Sequence, residues 1–415
     1  MLVPEARPLA NHCEFNRYLN PISEQRRQHI VESTGYNHRA RKIFFEPYFR
    51  GLLIFTWTKG ICTLRDLRRY FNDDPLYAVL GAHIDASLSS FSDANAKRPV
   101  TPFLMILDDV LDQLQKVPTR YRALTQIEAQ DLEQIQSLLD RSVLFDSSSL
   151  TLPAQVAEWA EVADDQASVN LHLRLRNGVG GIDQVFVVPG RDHDSRYFHH
   201  HLDLTRNAGH IHLFDCGFRG ISTYDEIVDS GNEFVTTRHG RLSVETVKER
   251  PLPASPGDSG YKILRDRIVH IGKGERHSPH LYRLLEVVDT EGEHKEILTS
   301  LLELPADHIC WLKRYHWMIE ILIRWLKHTL NLDHLISHSP RGIIVQVAMT
   351  LIAWGLMVLY HQQLRRNQPF SPTKMLRDLR IAFHRQIFWA GYMLGLKNAH
   401  LGQPMVPAPI ALPPP

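Results

Sequence analysis

Three acidic residues stand where a folding chain would not strand a charge without a use. Asp146 closes the apolar run "SVLFD", and Asp215 closes "HIHLFD". Glu320 lies within "RYHWMIEILIRWLKH", Arg314–His328, among Trp, Met, Ile and Leu. A carboxylate isolated in a core is costly. Carboxylates that converge can instead hold a hard cation, because Mg2+ prefers anionic oxygen ligands. Two such ions roughly 3.5–4 Å apart clamp the attacking and leaving oxygens of an in-line phosphoryl transfer. Asp146, Asp215 and Glu320 are therefore the expected catalytic residues and ligands of two Mg2+ ions, with Mn2+ as a substitute.

The helix around Glu320 carries more polar chemistry. At about 100° per residue, Lys313, His316, Arg324 and Lys327 all fall within about 40° of Glu320. The rest of the surface is mostly apolar, including Trp311, Trp317, Ile319, Leu322 and Trp325. A helix apolar on most sides is buried on most sides, so the polar stripe must face a cavity or a charged ligand. Lys313, His316, Arg324 and Lys327 are the expected contacts to phosphate.

These residues must be positioned by a mixed α/β fold. Residues 139–240 read as strand, strand, strand, helix, strand, helix, strand, which is a mixed sheet rather than a repeated βαβ barrel. "SVNLHLRLR" alternates with period two and turns at Asn177–Gly178 into "IDQVFVV". Both Asp146 and Asp215 then lie at the C-terminal lip of a strand, where the catalytic groups of α/β sheets gather. Residues 241–304 are β-rich, with a hairpin around "TEG". A long helix begins at Pro305, has Asp307 in its first turn and ends near Asn331, and helices continue to about residue 398. Upstream, residues 39–138 are all helical. Thr63 and Asp66 form a capping pair, and Thr101–Pro102 opens a helix. The short helices around Gly60 suit a helix-turn-helix or ordinary packing equally. The first 38 residues read as a loose arm, and 401–415 as a disordered Pro-rich tail.

Composition is that of a globular protein, with 43% apolar and 22% charged residues in 415. Net charge is +1, but segregated: residues 1–100 carry +4, 101–304 carry −11 and 305–415 carry +8. Basic ends suit a polyanion, and an acidic centre suits divalent cations. No signal peptide is visible, and the four cysteines form no CxxC pair, so reduced thiols in a cytoplasm are expected. Ile343–Tyr360 is nearly uncharged and barely long enough to span a bilayer; Gln346, Thr350 and Gly355 within it favour a buried core helix.

On "SLSSFSDANAKRP", "LFDSSSLTLP", "HLFDCGFRG" and the long block from "LRDRIVHIG" to "LISHSP", the chain resembles DDE transposases of bacterial insertion sequences. The resemblance covers about residues 40–365. It is to the group with a Tyr-Arg-Glu-Lys signature and a β-rich insertion in the catalytic core. It implies a ribonuclease-H-like core (139–240 and 305–400) split by an insertion (241–304), behind an N-terminal helical DNA-binding domain (39–138). It further implies cut-and-paste cleavage and strand transfer on the terminal inverted repeats and target DNA. A homodimer on DNA and a nucleoid-associated place in the bacterial cytoplasm are implied as well. The family's acids fall on Asp146, Asp215 and Glu320, and its signature Lys on Lys327. The signature Tyr and Arg positions hold Lys313 and His316 instead. A non-catalytic transposon-derived DNA-binding protein and a metal nuclease without strand transfer are the alternatives.

Other features are weaker. Six histidines between His193 and His212 match no standard zinc spacing. Related enzymes can hold a flipped base on an aromatic of the insertion, for which Tyr261 and Tyr282 are candidates. Arg377, Arg380 and Arg385, interleaved with aromatics, suit a DNA-facing helix or an amphipathic surface helix equally.

Overall fold

Apolar periodicity becomes helix, strand and helix again in the computed structural model. It describes residues 14–72, 80, 84–117, 129–163, 165–176, 181–191, 204, 209–218, 220–252, 259–364 and 370–400. The Asn177–Gly178 turn, His193, the triple histidine 199–201 and the Pro-rich tail lie outside these residues.

The N-terminal helices are α1 (Glu14–Leu19), α2 (Glu24–Thr34), α3 (Phe45–Trp57), α4 (Leu64–Phe71), α5 (Leu88–Lys97), α6 (Thr101–Leu114) and α7 (Ala129–Asp140). Strands β1 (Ser142–Leu152), β2 (Glu161–Ala163), β3 (Gln166–Arg176), β4 (Ile182–Pro189) and β5 (Ile211–Leu213) follow. Next come α8 (Ile221–Asp229), β6 (Glu233–Thr237), β7 (Val244–Glu249), β8 (Tyr261–Ile271), β9 (Tyr282–Asp289) and β10 (His294–Thr299). The chain closes with α9 (Ala306–Thr329), α10 (Pro340–Leu364) and α11 (Pro372–His400). Two compact units result: Met1–Leu114 with Trp325–Pro415, and Gln115–Arg324.

In the helical unit, α10 is the core. It is long and apolar enough to cross a membrane, yet 94% of its apolar window is buried inside the protein. Its polar exceptions each have a packing role. Gln346 accepts from Ile336 N and donates to the His334 carbonyl, pinning the preceding loop. A Cβ at Gly355 would meet Val110 at 2.2 Å, so glycine there permits close approach of α6. Asn331 holds φ at 56° just past the end of α9, as its sequence position suggests, and its amide caps the Phe55 and Thr58 carbonyls at the end of α3. The expected loose arm is instead structured from residue 14. Tyr18 on α1 is fully buried and donates to the Ala353 carbonyl at 2.6 Å, while Arg26 forks onto Asp109. An aromatic anchor and a bidentate ion pair outweigh the polar composition that suggested disorder. On α11, Arg380 donates to the Trp57 carbonyl, whereas Arg377 and Arg385 face solvent.

The α/β unit is built on one continuous mixed sheet. Among the described residues its strands run β2–β3–β1–β5–β6–β10–β9–β8–β7, with β4 also on β3. β1 pairs antiparallel with β3 and parallel with β5, which is parallel to β6. Strands β7–β10 join the same sheet through the antiparallel β6–β10 pairing. One face is filled by Phe145, Phe214, Phe218, Tyr224, Phe234 and Tyr282, and Phe214, Tyr224 and Phe234 stack on one another.

A buried ion pair fastens the lead-in to α9. Arg283 forks onto Asp266 at 2.8 and 2.6 Å, both 2% exposed, and also donates to the Leu302 and Leu304 carbonyls. Removing one partner leaves the other charge buried alone. Asp266→Ala is expected to cost about 3–5 kcal/mol in denaturant unfolding. A loss below about 1 kcal/mol would mean that the guanidinium reaches water.

Candidate active site

The parallel register of β1 and β5 brings the first two acids together. Leu144 pairs with Leu213, and two residues further along each chain come Asp146 and Asp215. Asp146 lies within β1, whereas Asp215 lies two residues past the end of β5, in the segment that leaves the sheet. Asp146 was expected at the end of a short strand. Instead β1 runs on to Leu152, because its other edge pairs with β3 from Val143 to Leu152. The parallel pairing does stop at Leu144, leaving that edge of β1 open beside Asp146. Asp146 Oδ1 accepts from Ser147 N at 2.8 Å, and Asp215 Oδ1 accepts from Gly217 N at 2.5 Å. A side chain at position 217 would press on Asp215 Oδ1 at 3.0 Å, so glycine lets the turn close on the carboxylate.

Helix α9 brings the third acid. His316, 1% exposed, donates from Nε2 to the Phe145 carbonyl at 2.9 Å, which docks α9 against β1 one residue before Asp146. Glu320 follows one turn later, its carboxylate 44% exposed and 3.9 Å from His316 Nδ1. Electrostatics reveals the convergence. Burial, together with the negative charges of Glu320 and Asp215, pushes the Asp146 carboxyl up to about 7. Burial and the charge of Asp215 raise Glu320, against the pull of Lys313 and Arg324. Lys313 is held below the usual lysine range by burial, which outweighs the attraction of Asp215, Glu320 and Asp146. Burial and the Lys313 charge drive His316 down to about 3, so its ring is neutral.

The polar stripe splits. Lys313 and His316 turn inward to the acids, whereas Arg324 is exposed and Lys327 half-exposed further along α9. Trp317, which apolar patterning places in the core, is 52% exposed one turn before Glu320. No sequence signal distinguished it from its buried neighbours. Tyr282 is not available to a base: it is fully buried, and its hydroxyl donates to Asp225 at 2.6 Å. The described cysteines, Cys62, Cys216 and Cys310, are free thiols.

The donor set suits a hard divalent cation. Three carboxylates share one region, and the repulsion that Asp146 feels is the interaction that such an ion reverses. Among the described residues, no three His, Cys, Asp or Glu side chains already stand at coordinating spacing.

A mixed sheet thus carries one acid on β1 and a second just past β5, and a helix docked on β1 carries a third. Residues 137–356 match the transposase DDE domain, and the chain belongs to the DDE transposase family. Members of this family are polynucleotidyl transferases that depend on divalent cations, and they act on DNA. The chain is 23% identical to y4zB of Sinorhizobium fredii, named as a transposase, over 71% of this chain and 77% of that one. It is 21% identical to a Geobacillus stearothermophilus protein named as a transposase for insertion sequence element IS5377, over 84% and 85%. The synaptic complex of piggyBac transposase with hairpin DNA matches 98% of this chain and 88% of its own at 11% identity, with a TM-score of 0.48.

The raised Asp146 acid has a consequence for stability. Its folded proton affinity exceeds the unfolded one, so between about pH 4 and 7 the unfolded chain binds fewer protons and stability falls as pH rises. Without metal, Asp146→Asn is expected to unfold at higher temperature than the parent at pH 8 and at an equal temperature near pH 3.5. Thermal melts across this range check it; an Asn variant less stable at pH 8 would refute the shift.

Proposed function

We propose that this DNA transposase is the enzyme of an insertion sequence and moves it by cut-and-paste. It cleaves the terminal inverted repeats and joins the freed 3′ ends to target DNA. The electrostatic convergence of Asp146, Asp215 and Glu320 carries this reading. The order β4–β3–β1–β5–β6, with β1 central, an antiparallel hairpin on one side and parallel strands on the other, supports a ribonuclease-H-like core. Strands β7–β10 then form the β-rich insertion, and the helices of residues 39–138 the DNA-binding domain. DNA as substrate places its work in the bacterial cytoplasm at the nucleoid, and a homodimer is the simplest arrangement that holds two element ends.

The three carboxylates are proposed to hold two Mg2+ ions, with Mn2+ as a substitute. When bound, they supply Lewis-acid activation and neutralise charge at the phosphodiester. The remaining work belongs to the chain. Lys313 balances the acids from within the protein. His316 fixes the helix that carries Glu320 against the strand that carries Asp146. Arg324 and Lys327 hold the DNA backbone, and exposed Trp317 offers a flat face on which a base can stack.

With DNA carrying the element ends and Mg2+, Asp146→Asn, Asp215→Asn and Glu320→Gln are each expected to lower cleavage by at least roughly 10²–10³-fold while end binding persists. A variant that still cuts removes its residue from the triad. A parent protein that shifts the DNA without nicking it would be a non-catalytic binder. Arg324→Ala and Lys327→Ala should each weaken binding on any sequence and reduce the salt slope by about one. Salt-dependent binding isotherms on two unrelated duplexes check this, and an unchanged slope would remove the contact.

A further inference from the structure

One buried polar atom beside the acids is left without a partner. His316 Nε2 lies 2.9 Å from the Phe145 carbonyl oxygen, and a carbonyl can only accept, so this nitrogen carries the ring proton. The lone pair is therefore on Nδ1. That atom has no hydrogen-bond partner, the ring is 1% exposed, and Nδ1 faces Glu320 Oε1 at 3.9 Å. A lone pair and a carboxylate oxygen repel unless something positive lies between them. The separation is too long for a hydrogen bond. It lies within the reach of two donors on one ion, which at about 2.1 Å each from the metal stand about 3.0 Å apart when adjacent and at most about 4.2 Å when opposite, so a bound ion would draw the two atoms closer. A ring N–H anchored on a backbone carbonyl is also how metal-binding imidazoles are held in tautomer and direction.

We propose that His316 Nδ1 is a nitrogen ligand of the cation held by Glu320 and Asp146, and that it shifts the site toward a first-row transition ion such as Mn2+ over Mg2+. This rests on the proposal that the acids bind divalent cations. Mg2+ keeps to oxygen and sheds water reluctantly, so it gains little from an imidazole, whereas transition ions accept one. His316 is then part of the metal site rather than a DNA contact.

The test is pulsed electron paramagnetic resonance of the full chain with Mn2+ alone, in unlabelled and [15N]histidine-labelled protein. A directly bound imidazole nitrogen couples to the Mn2+ spin, and the coupling changes with the isotope. The expected result is an isotope-dependent coupling that disappears in His316→Gln. Mn2+ affinity should fall roughly ten- to hundredfold in that variant. Mg2+ affinity, read by competition, should fall by less than about threefold. Glutamine suits the purpose because its amide N–H can still reach the Phe145 carbonyl while the ring lone pair is gone. Mn2+ bound in a Glu320-dependent way without nitrogen coupling overturns the inference and leaves the acidic site standing. Mn2+ binding unchanged by Asp146→Asn and Glu320→Gln overturns both. Should His316→Gln not fold, the labelled parent decides: a coupling lost in Glu320→Gln supports the assignment, and one that survives belongs to another histidine and overturns it.

Discussion

Like charges held close together in a partly desolvated place are the constraint on which this structure turns. Asp146, Asp215 and Glu320 repel one another, and burial weakens the water that would screen them. A fold left to its own stability would separate them. Here the separation is prevented by the backbone. Two acids are tied to neighbouring strands by the β1–β5 ladder, and the third rides on a helix hydrogen-bonded to β1. Asp146 responds by keeping its proton to about pH 7, and Lys313 stays close enough to balance part of the charge. The cluster is held at the cost of local electrostatic strain.

The rest of the α/β unit can be understood as the scaffold that sustains this arrangement. Phe145 places its side chain in the aromatic core and its carbonyl under His316, so one residue anchors both sheet and helix. Arg283 and Asp266 hold the segment that leads into α9. The sheet is continuous from β4 to β7, so the strands before and after β6 behave as one framework. In the helical unit, α10 supplies the core, and buried Gln346 shows how an amide can be spent on shaping a loop.

The resemblance sets Lys313 and His316 against the Tyr and Arg of the family signature, which on sequence alone suits either a variant branch or a decaying copy. His316 is buried and hydrogen-bonded to β1, and half-buried Lys313 feels the charges of all three acids. A decaying site accumulates substitutions without regard to its charges. These two instead put a compensating ammonium and a neutral, directionally anchored imidazole next to three carboxylates.

Much of this was legible in the sequence. Period-two alternation marked β3, and Thr63–Asp66 marked the start of α4. Asn331 marked the end of α9. These are local signals: backbone propensity, capping and burial pattern are written within a few residues. What the sequence could not settle involves partners distant along the chain. Whether residues 14–34 fold depended on a tyrosine hydroxyl meeting Ala353 and an arginine meeting Asp109. The helices after Trp325 group with the N-terminal helices, although nothing in their own composition says so. Helical periodicity put His316, Arg324 and Trp317 on known faces of α9. Only tertiary packing, for His316 the docking on β1, decided which of them is buried, because a wheel fixes angles about an axis and not what lies opposite them.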